Sequence, residues 1–166
     1  MNIVLIGYRG AGKSHVGKIL ATRLNRALVS TDAEIVKRAG CSIPEIVKRQ
    51  GWESFRDLES EVCRDVAAQD HQVIDTGGGM VLRAGNVHAL KATGVLVWLT
   101  AEVPTIIRRI GGDTQRPSLT GTKSFTEEVE EVLGERTPKY RAAADHIIAT
   151  DQLQPEHVAD AVQALL

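Results

Sequence analysis

What the chain has little of narrows its chemistry first. Its only cysteines, Cys41 and Cys63, are too far apart for a C-x-x-C motif and too few for a disulfide framework. They read as small buried or half-buried hydrophobes in a protein of a reducing compartment. Neither sign of charge dominates, since 20 Lys and Arg against 21 Asp and Glu leave a formal charge of −1. That balance argues against a nucleic-acid partner and leaves any basic cluster local. No apolar run nears the roughly 18 residues that cross a bilayer, and the apolar start Ile3-Val4-Leu5-Ile6 stops at Gly7 with no basic leader before it. Neither a membrane partner nor a signal peptide is expected, and the protein reads as cytoplasmic. The five histidines show no metal-ligand spacing, and no repeat, low-complexity stretch or linker divides the sequence. At 166 residues and 43% apolar composition, residues 1–166 are expected to form one domain with a real core, acting as a monomer.

What is present is dominated by Gly7-Tyr8-Arg9-Gly10-Ala11-Gly12-Lys13-Ser14, a G-x-x-x-x-G-K-[ST] pattern between a short apolar run and a helical one, which is the setting a P-loop requires. Glycines let backbone N–H groups turn inward as an anion nest at the positive end of a helix. Lys13 can then reach β- and γ-phosphate oxygens, and the Ser14 hydroxyl can bind a Mg²⁺ ion bridging them. ATP and Mg²⁺ are the expected cofactors, with residues 10–15 (Gly10, Ala11, Gly12, Lys13, Ser14, His15) around the phosphates.

Five short apolar runs, Asn2 to Ile6, Ala27 to Ser30, Gln72 to Asp75, Val95 to Leu99 and His146 to Ala149, alternate with helical patterns. The alternation predicts an α/β/α fold with a five-stranded parallel sheet, whose ligands sit at the C-terminal strand ends. The stretch from Ala33 to about Ala67 is long for a crossover and is punctuated by Gly40, Pro44 and Gly51 into three helical pieces. An insertion there, about 33–61, suits a pocket for a second substrate. It contains Trp52, Phe55, Arg56 and Glu59. Arg56 and Glu59 share a helix face, which alone suggests a solvated pair; the adjoining aromatics shift the reading to a small pocket with a polar end.

Asp75 closes the third strand and is followed by Thr76 and Gly77-Gly78-Gly79. The aspartate occupies a Walker-B-like position suited to Mg²⁺, and the glycines imply close approach by a ligand or another segment. Residues 111–124 lack apolar periodicity and include Arg116, which suggests a mobile lid carrying positive charge. A helical pattern then resumes near Phe125 and is expected to break at Thr137-Pro138, leaving Arg136 at a helix end.

In order and spacing, the P-loop, Asp32 after the second strand, Phe55-Arg56-x-x-Glu59, Gly77 to Gly79, Arg116-Pro117-x-Leu119 and Glu135-Arg136-x-x-x-Tyr140-Arg141 resemble the shikimate kinase family along nearly the whole chain. The resemblance implies a P-loop, nucleoside-monophosphate-kinase-like fold with a substrate-binding insertion and lid, and transfer of the ATP γ-phosphate to the 3-hydroxyl of shikimate. It implies Asp32 on the attacking hydroxyl, Arg56 and Arg136 on the substrate carboxylate with Glu59 orienting Arg56, Gly77, Gly78 and Gly79 lining the pocket, Arg116 in the lid, and Arg109 and Pro155 around adenine. The sequence departs from the family at Ser30-Thr31-Asp32, where the family usually has an aspartate first. Either Asp75 supplies the missing carboxylate, or Ser14, phosphates and water complete the metal shell. Kinases of an aminoshikimate-like ring, gluconate or a nucleoside monophosphate, and a regulator without transfer activity, are the competing readings.

Overall fold

The computed structural model describes residues 1–111 and 124–166. Its strands are β1 (Asn2–Ile6), β2 (Ala27–Ser30), β3 (Gln72–Asp75), β4 (Gly94–Thr100) and β5 (His146–Ala149). They form one parallel sheet in the order β2-β3-β1-β4-β5. Apolar alternation along β1 splits the core: Ile3 and Leu5 belong to one buried cluster, Val4 and Ile6 to the other. A strand that buries both faces in this way must lie inside the sheet under helices on each side.

One face is covered by α1 (Lys13–Leu24) and α7 (Pro155–Ala164), which bring Val16, Leu20, Val158 and Val162 to Ile3, Leu5, Val97 and Ile148. The other is covered by α2 (Thr31–Ala39), α3 (Ile43–Ala67), α4 (Ala84–Thr93), α5 (Val103–Ile110) and α6 (Phe125–Ala143). Ser42 caps α3 by accepting from Glu45 N at 3.4 Å, with Pro44 in the first turn. Gly51, at φ 83° and ψ 170°, interrupts the helical path of α3, so the three expected pieces are there as α2 and the two limbs of α3. Cys63 is buried among apolar residues and its thiol is pushed by burial up to about 12. Among the described residues no helix is long and apolar enough to cross a membrane.

Two sequence expectations need correction. The fourth strand extends one residue further at each end, to Gly94 and Thr100. More consequentially, α6 does not break at Thr137-Pro138: Pro138 lies inside one continuous helix. A proline removes one ladder bond and crowds the carbonyl four residues earlier, costing about 3 kcal/mol. Here that carbonyl belongs to a glycine, Gly134, and Thr137 Oγ1 donates to Leu133 O at 2.7 Å in the same turn. Val129 and Val132 before the proline, and Tyr140 and Ala143 after it, are all buried in one cluster, so packing on both sides holds the helix through the defect. Arg136 therefore sits mid-helix and buried, rather than at a helix end.

Candidate active site

The site lies at the C-terminal edge of β1, β2 and β3, where the P-loop leaves β1. Gly7 (φ 145°) approaches the end of β4 so closely that a Cβ would stand 2.5 Å from Leu99 O, and Gly12 (φ 94°) makes the left-handed turn into α1. Lys13 is buried and folds back on the loop, donating from Nζ to Gly7 O at 2.8 Å and Tyr8 O at 3.1 Å. Parallel register sets Leu5 beside Asp75 and Ser30 beside Asp75, so the β3 carboxylate reaches the start of α1. Ser14 Oγ donates to Asp75 Oδ2 at 2.6 Å.

Ser30 has a different task. It is the N-cap of α2, its Oγ accepting from Ala33 N at 3.2 Å. That cap starts the helix one residue before Asp32 and fixes the aspartate in its first turn. A cavity of about 400 Å³ joins these groups, lined by Lys13, Ser14, Ser30, Asp32, Asp75 and Thr76 among others. Its oxygen donors suit a hard divalent ion: Ser14, its proton given to Asp75, still presents lone pairs, and both carboxylates stand in the same wall. Among the described residues no three His, Cys, Asp or Glu converge. An ion there would take its other ligands from phosphates and water, which is how Mg²⁺ is usually held. A second cavity, about 530 Å³, continues past Gly10, Gly12 and His15 to Arg109 and Pro155.

On the other side of the P-loop, the glycine turn after β3 works as a packing surface. A Cβ on Gly77 would stand 2.7 Å from Asp32 Oδ1 and 3.0 Å from Glu59 Oε2; one on Gly78 would lie 3.4 Å from Arg136 Nη1; one on Gly79 would overlap the Arg56 guanidinium. Three consecutive residues without side chains thus admit two carboxylates and two guanidinium groups. Gly77 N donates to Thr31 Oγ1 at 3.0 Å, which ties the turn to the residue before Asp32.

Arg56 and Glu59 are not a solvated helix pair. Glu59 is 1% exposed and Arg56 13%, joined by an Nη1–Oε1 bond of 2.8 Å. The guanidinium also lies 5.4 Å from the Trp52 ring centre and 5.2 Å from that of Phe55. Burial pushes the Glu59 carboxyl above its ordinary value, Arg56 pulls it back by charge and hydrogen bond, and Asp32 adds a smaller upward push. Arg56 and Arg136 share the wall of a cavity of about 400 Å³ with Trp52, Leu82, Glu131 and Lys139.

Two tyrosines to which the sequence assigned no task hold Arg136. Its guanidinium lies 5.9 Å from the ring centre of Tyr8, which comes from the P-loop. It also bonds the Tyr140 hydroxyl, which donates in turn to Gly78 O at 2.5 Å. Burial pushes that hydroxyl up to about 12, so it remains a donor. Spacing offered a signal for Tyr140, one helical turn beyond Arg136; Tyr8 occupies a variable P-loop position and offered none. Arg116 and all of the expected lid but its end residues, Gly111 and Ser124, fall outside the described residues.

The profile described as shikimate kinase matches residues 9–166. The shikimate kinase of Nitratidesulfovibrio vulgaris is 46% identical over 152 residues, covering 90% of this chain and 86% of that protein. The shikimate kinase of Syntrophus aciditrophicus is 42% identical, covering 97% and 88%. Among solved structures, shikimate kinase from Acinetobacter baumannii in complex with shikimate superposes with a TM-score of 0.94 at 34% identity, covering 99% of this chain and 91% of that one. The Aquifex aeolicus enzyme gives 0.82 at 32% identity, covering 99% and 95%. With its P-loop kinase fold of parallel strands under two helical layers, the chain belongs to the shikimate kinase family.

Proposed function

We propose that the protein transfers the γ-phosphoryl group of ATP to the 3-hydroxyl of shikimate, within a single domain whose 33–61 segment serves the acceptor. The observation that carries this reading is the Gly77–Gly79 turn, against which Asp32, Glu59, Arg136 and Arg56 pack beside the P-loop. A base and a carboxylate clamp on one turn are what phosphorylation of a small hydroxylated acid needs. Two planar guanidinium groups offer paired donors to a carboxylate, and neither is free to swing.

Asp32 accepts or orients the proton of the attacking hydroxyl; Arg56 and Arg136 hold the acid; Glu59 keeps Arg56 in plane. Lys13 leaves the loop carbonyls Gly7 O and Tyr8 O, which it holds here, for phosphate oxygens, so its charge is delivered without a long excursion. Arg116 adds positive charge from the segment between α5 and α6, and Arg109 and Pro155 enclose adenine. Mg²⁺, when bound, would supply charge neutralisation for the transferring phosphates. Ser14 and Asp75 are the residues that would hold it, directly or through water. All these groups come from one chain, so a monomer suffices for the reaction.

An acceptor panel tests the reading. With ATP and Mg²⁺, shikimate is expected to stimulate ADP release, while gluconate and nucleoside monophosphates do not; preference for either of the latter would overturn the assignment, and ATP binding without acceptor-stimulated release would identify a regulator.

Three variants probe the site's construction. Because Ser30 is committed to capping α2, Asp75→Asn is expected to raise the Mg²⁺ concentration for half-maximal turnover by about tenfold, the scale of losing a partner around a metal ligand. Ser30→Asp in that background should restore the requirement, since aspartate caps a helix as well as serine does. An unchanged Mg²⁺ dependence in Asp75→Asn would show that Ser14, phosphates and water suffice. Gly79→Ala puts a methyl group where the Arg56 guanidinium lies. The methyl group forces the guanidinium out of the position that Glu59 holds, a side-chain shift the fold should survive, while the shikimate KM rises about tenfold, the scale of one charged hydrogen bond.

A further inference from the structure

Thr150 follows β5 at the rear of the 530 Å³ cavity, 2% exposed. Its hydroxyl is in reach of three separate segments. Oγ1 lies 2.9 Å from Thr100 O at the end of β4 and 3.3 Å from Ala11 O in the P-loop, and it accepts from Arg109 Nη1 at 3.1 Å. One proton and two lone pairs match this set: the proton points between the two carbonyls, nearer Thr100, and a lone pair remains for the guanidinium.

Arg109 is otherwise an exposed residue near the end of α5. Its freedom is removed by three bonds, Nη1 to Gly10 O at 3.0 Å, Nη1 to Thr150 Oγ1, and Nη2 to Thr150 O at 3.2 Å. Guanidinium N–H bonds lie in the plane of the group, so these contacts fix its edge and leave its faces without hydrogen bonds. A held, planar cation with an open face is a platform for an aromatic base. The same residue governs the opposite side of the cavity: Leu153 N donates to Thr150 O at 3.2 Å, closing the turn that delivers Pro155 to the first turn of α7.

We propose that Thr150 is a positioning residue for the nucleotide base, locking the Arg109 guanidinium to the P-loop and the β4 end so that its face is presented to the purine. The inference rests on the assignment of Arg109 and Pro155 to adenine. It predicts that losing the hydroxyl weakens recognition of the base and leaves recognition of the phosphates intact.

Titration of the full chain with Mg²⁺-ADP and, separately, with Mg²⁺-pyrophosphate separates the two. Thr150→Val should weaken ADP binding about tenfold, the scale of losing a hydrogen bond to a charged group, with pyrophosphate affinity unchanged. In turnover the ATP KM rises, while kcat and the shikimate KM hold. Thr150→Ser, which keeps the hydroxyl, should stay near wild type; if it behaves like valine, the methyl group is what matters and the proposal fails. Equal losses for ADP and pyrophosphate would make Thr150 a support of the P-loop only, and also overturn it. Arg109→Ala is the control: if it weakens ADP binding and Thr150→Val does not, the positioning role is wrong and the Arg109 assignment stands. If Arg109→Ala leaves ADP binding unchanged, that assignment falls and takes the proposal with it. Should Thr150→Val not fold, Thr150→Ala, with room for a water, carries the same comparison.

Discussion

Asp32→Asn is expected to lower kcat with shikimate by about 10²- to 10³-fold, within the usual range for losing a positioned general base, and to change the shikimate KM by less than about threefold. Asp32 stands in the first turn of α2, against Gly77 and in the same cavity wall as Lys13 and Ser14. Asparagine keeps the shape and can still orient a hydroxyl, yet it cannot take a proton. The contacts proposed for the acceptor with Arg56 and Arg136 are untouched. Steady-state kinetics with saturating Mg²⁺-ATP measures both parameters. Folding should be little affected: an acidic group in the first turn interacts with the helix dipole by only about 0.3–1 kcal/mol. A KM that rises in step with the fall in kcat would make Asp32 a binding group.

Arg136→Ala should fail in the opposite way, raising the shikimate KM by about 100-fold with a smaller loss in kcat. Hydrogen bonds to charged groups contribute about 1.5–3 kcal/mol each, and a guanidinium can make two to one carboxylate. Arg136→Lys should recover little, because an ammonium lacks the planar fork. The residue is buried, its guanidinium 5.9 Å from the Tyr8 ring centre and bonded to Tyr140. Truncation therefore also leaves a gap in the core cluster that contains both tyrosines. Thermal melting separates the effects: Tyr140→Phe removes the hydroxyl while keeping the ring, so its shikimate KM should rise with Tm nearly held. Equal kcat and KM effects in Asp32→Asn and Arg136→Ala would remove the division of labour between them.

The contrast between these residues also indicates how far the sequence could be read. The placement of Lys13 and Ser14 was legible because both lie in a P-loop whose backbone path is nearly determined, whereas Asp32 was singled out by the family resemblance, at the end of the second strand. The glycine turn was legible as a close approach, though nothing in Gly77-Gly78-Gly79 said which side chain would meet which glycine. That pairing comes from the parallel register of β2 and β3 and the path of α3, both set by tertiary packing. Arg136 was singled out in the sequence but placed at a helix end, where the structure has it buried mid-helix. Pro138 signals a break, and the apolar contacts of Val129, Val132, Tyr140 and Ala143, which no local pattern shows, carry the helix through it. Tyr8 and Thr150 left no local trace, since they act by a ring face and by bonds to backbone carbonyls of distant segments. The aspartate missing at Ser30 was visible, and its consequence was half legible. Register brings Asp75 beside Ser30 and onto the Ser14 hydroxyl, but the serine's role as the cap of α2 required the structure.

The proposed mechanism centres on an acceptor selected by its carboxylate, to be held by Arg56 and Arg136 over the glycine turn while its hydroxyl meets Asp32. The most direct test compares kcat/KM for shikimate with that for its carboxamide, the same ring bearing a neutral head group. A carboxylate clamp predicts that the carboxamide is poorer by at least about 100-fold, as expected for the loss of paired charge-assisted hydrogen bonds, and that this preference largely disappears in Arg136→Ala. Equal kcat/KM for the two compounds in the wild-type protein would contradict the clamp and the choice of acceptor with it.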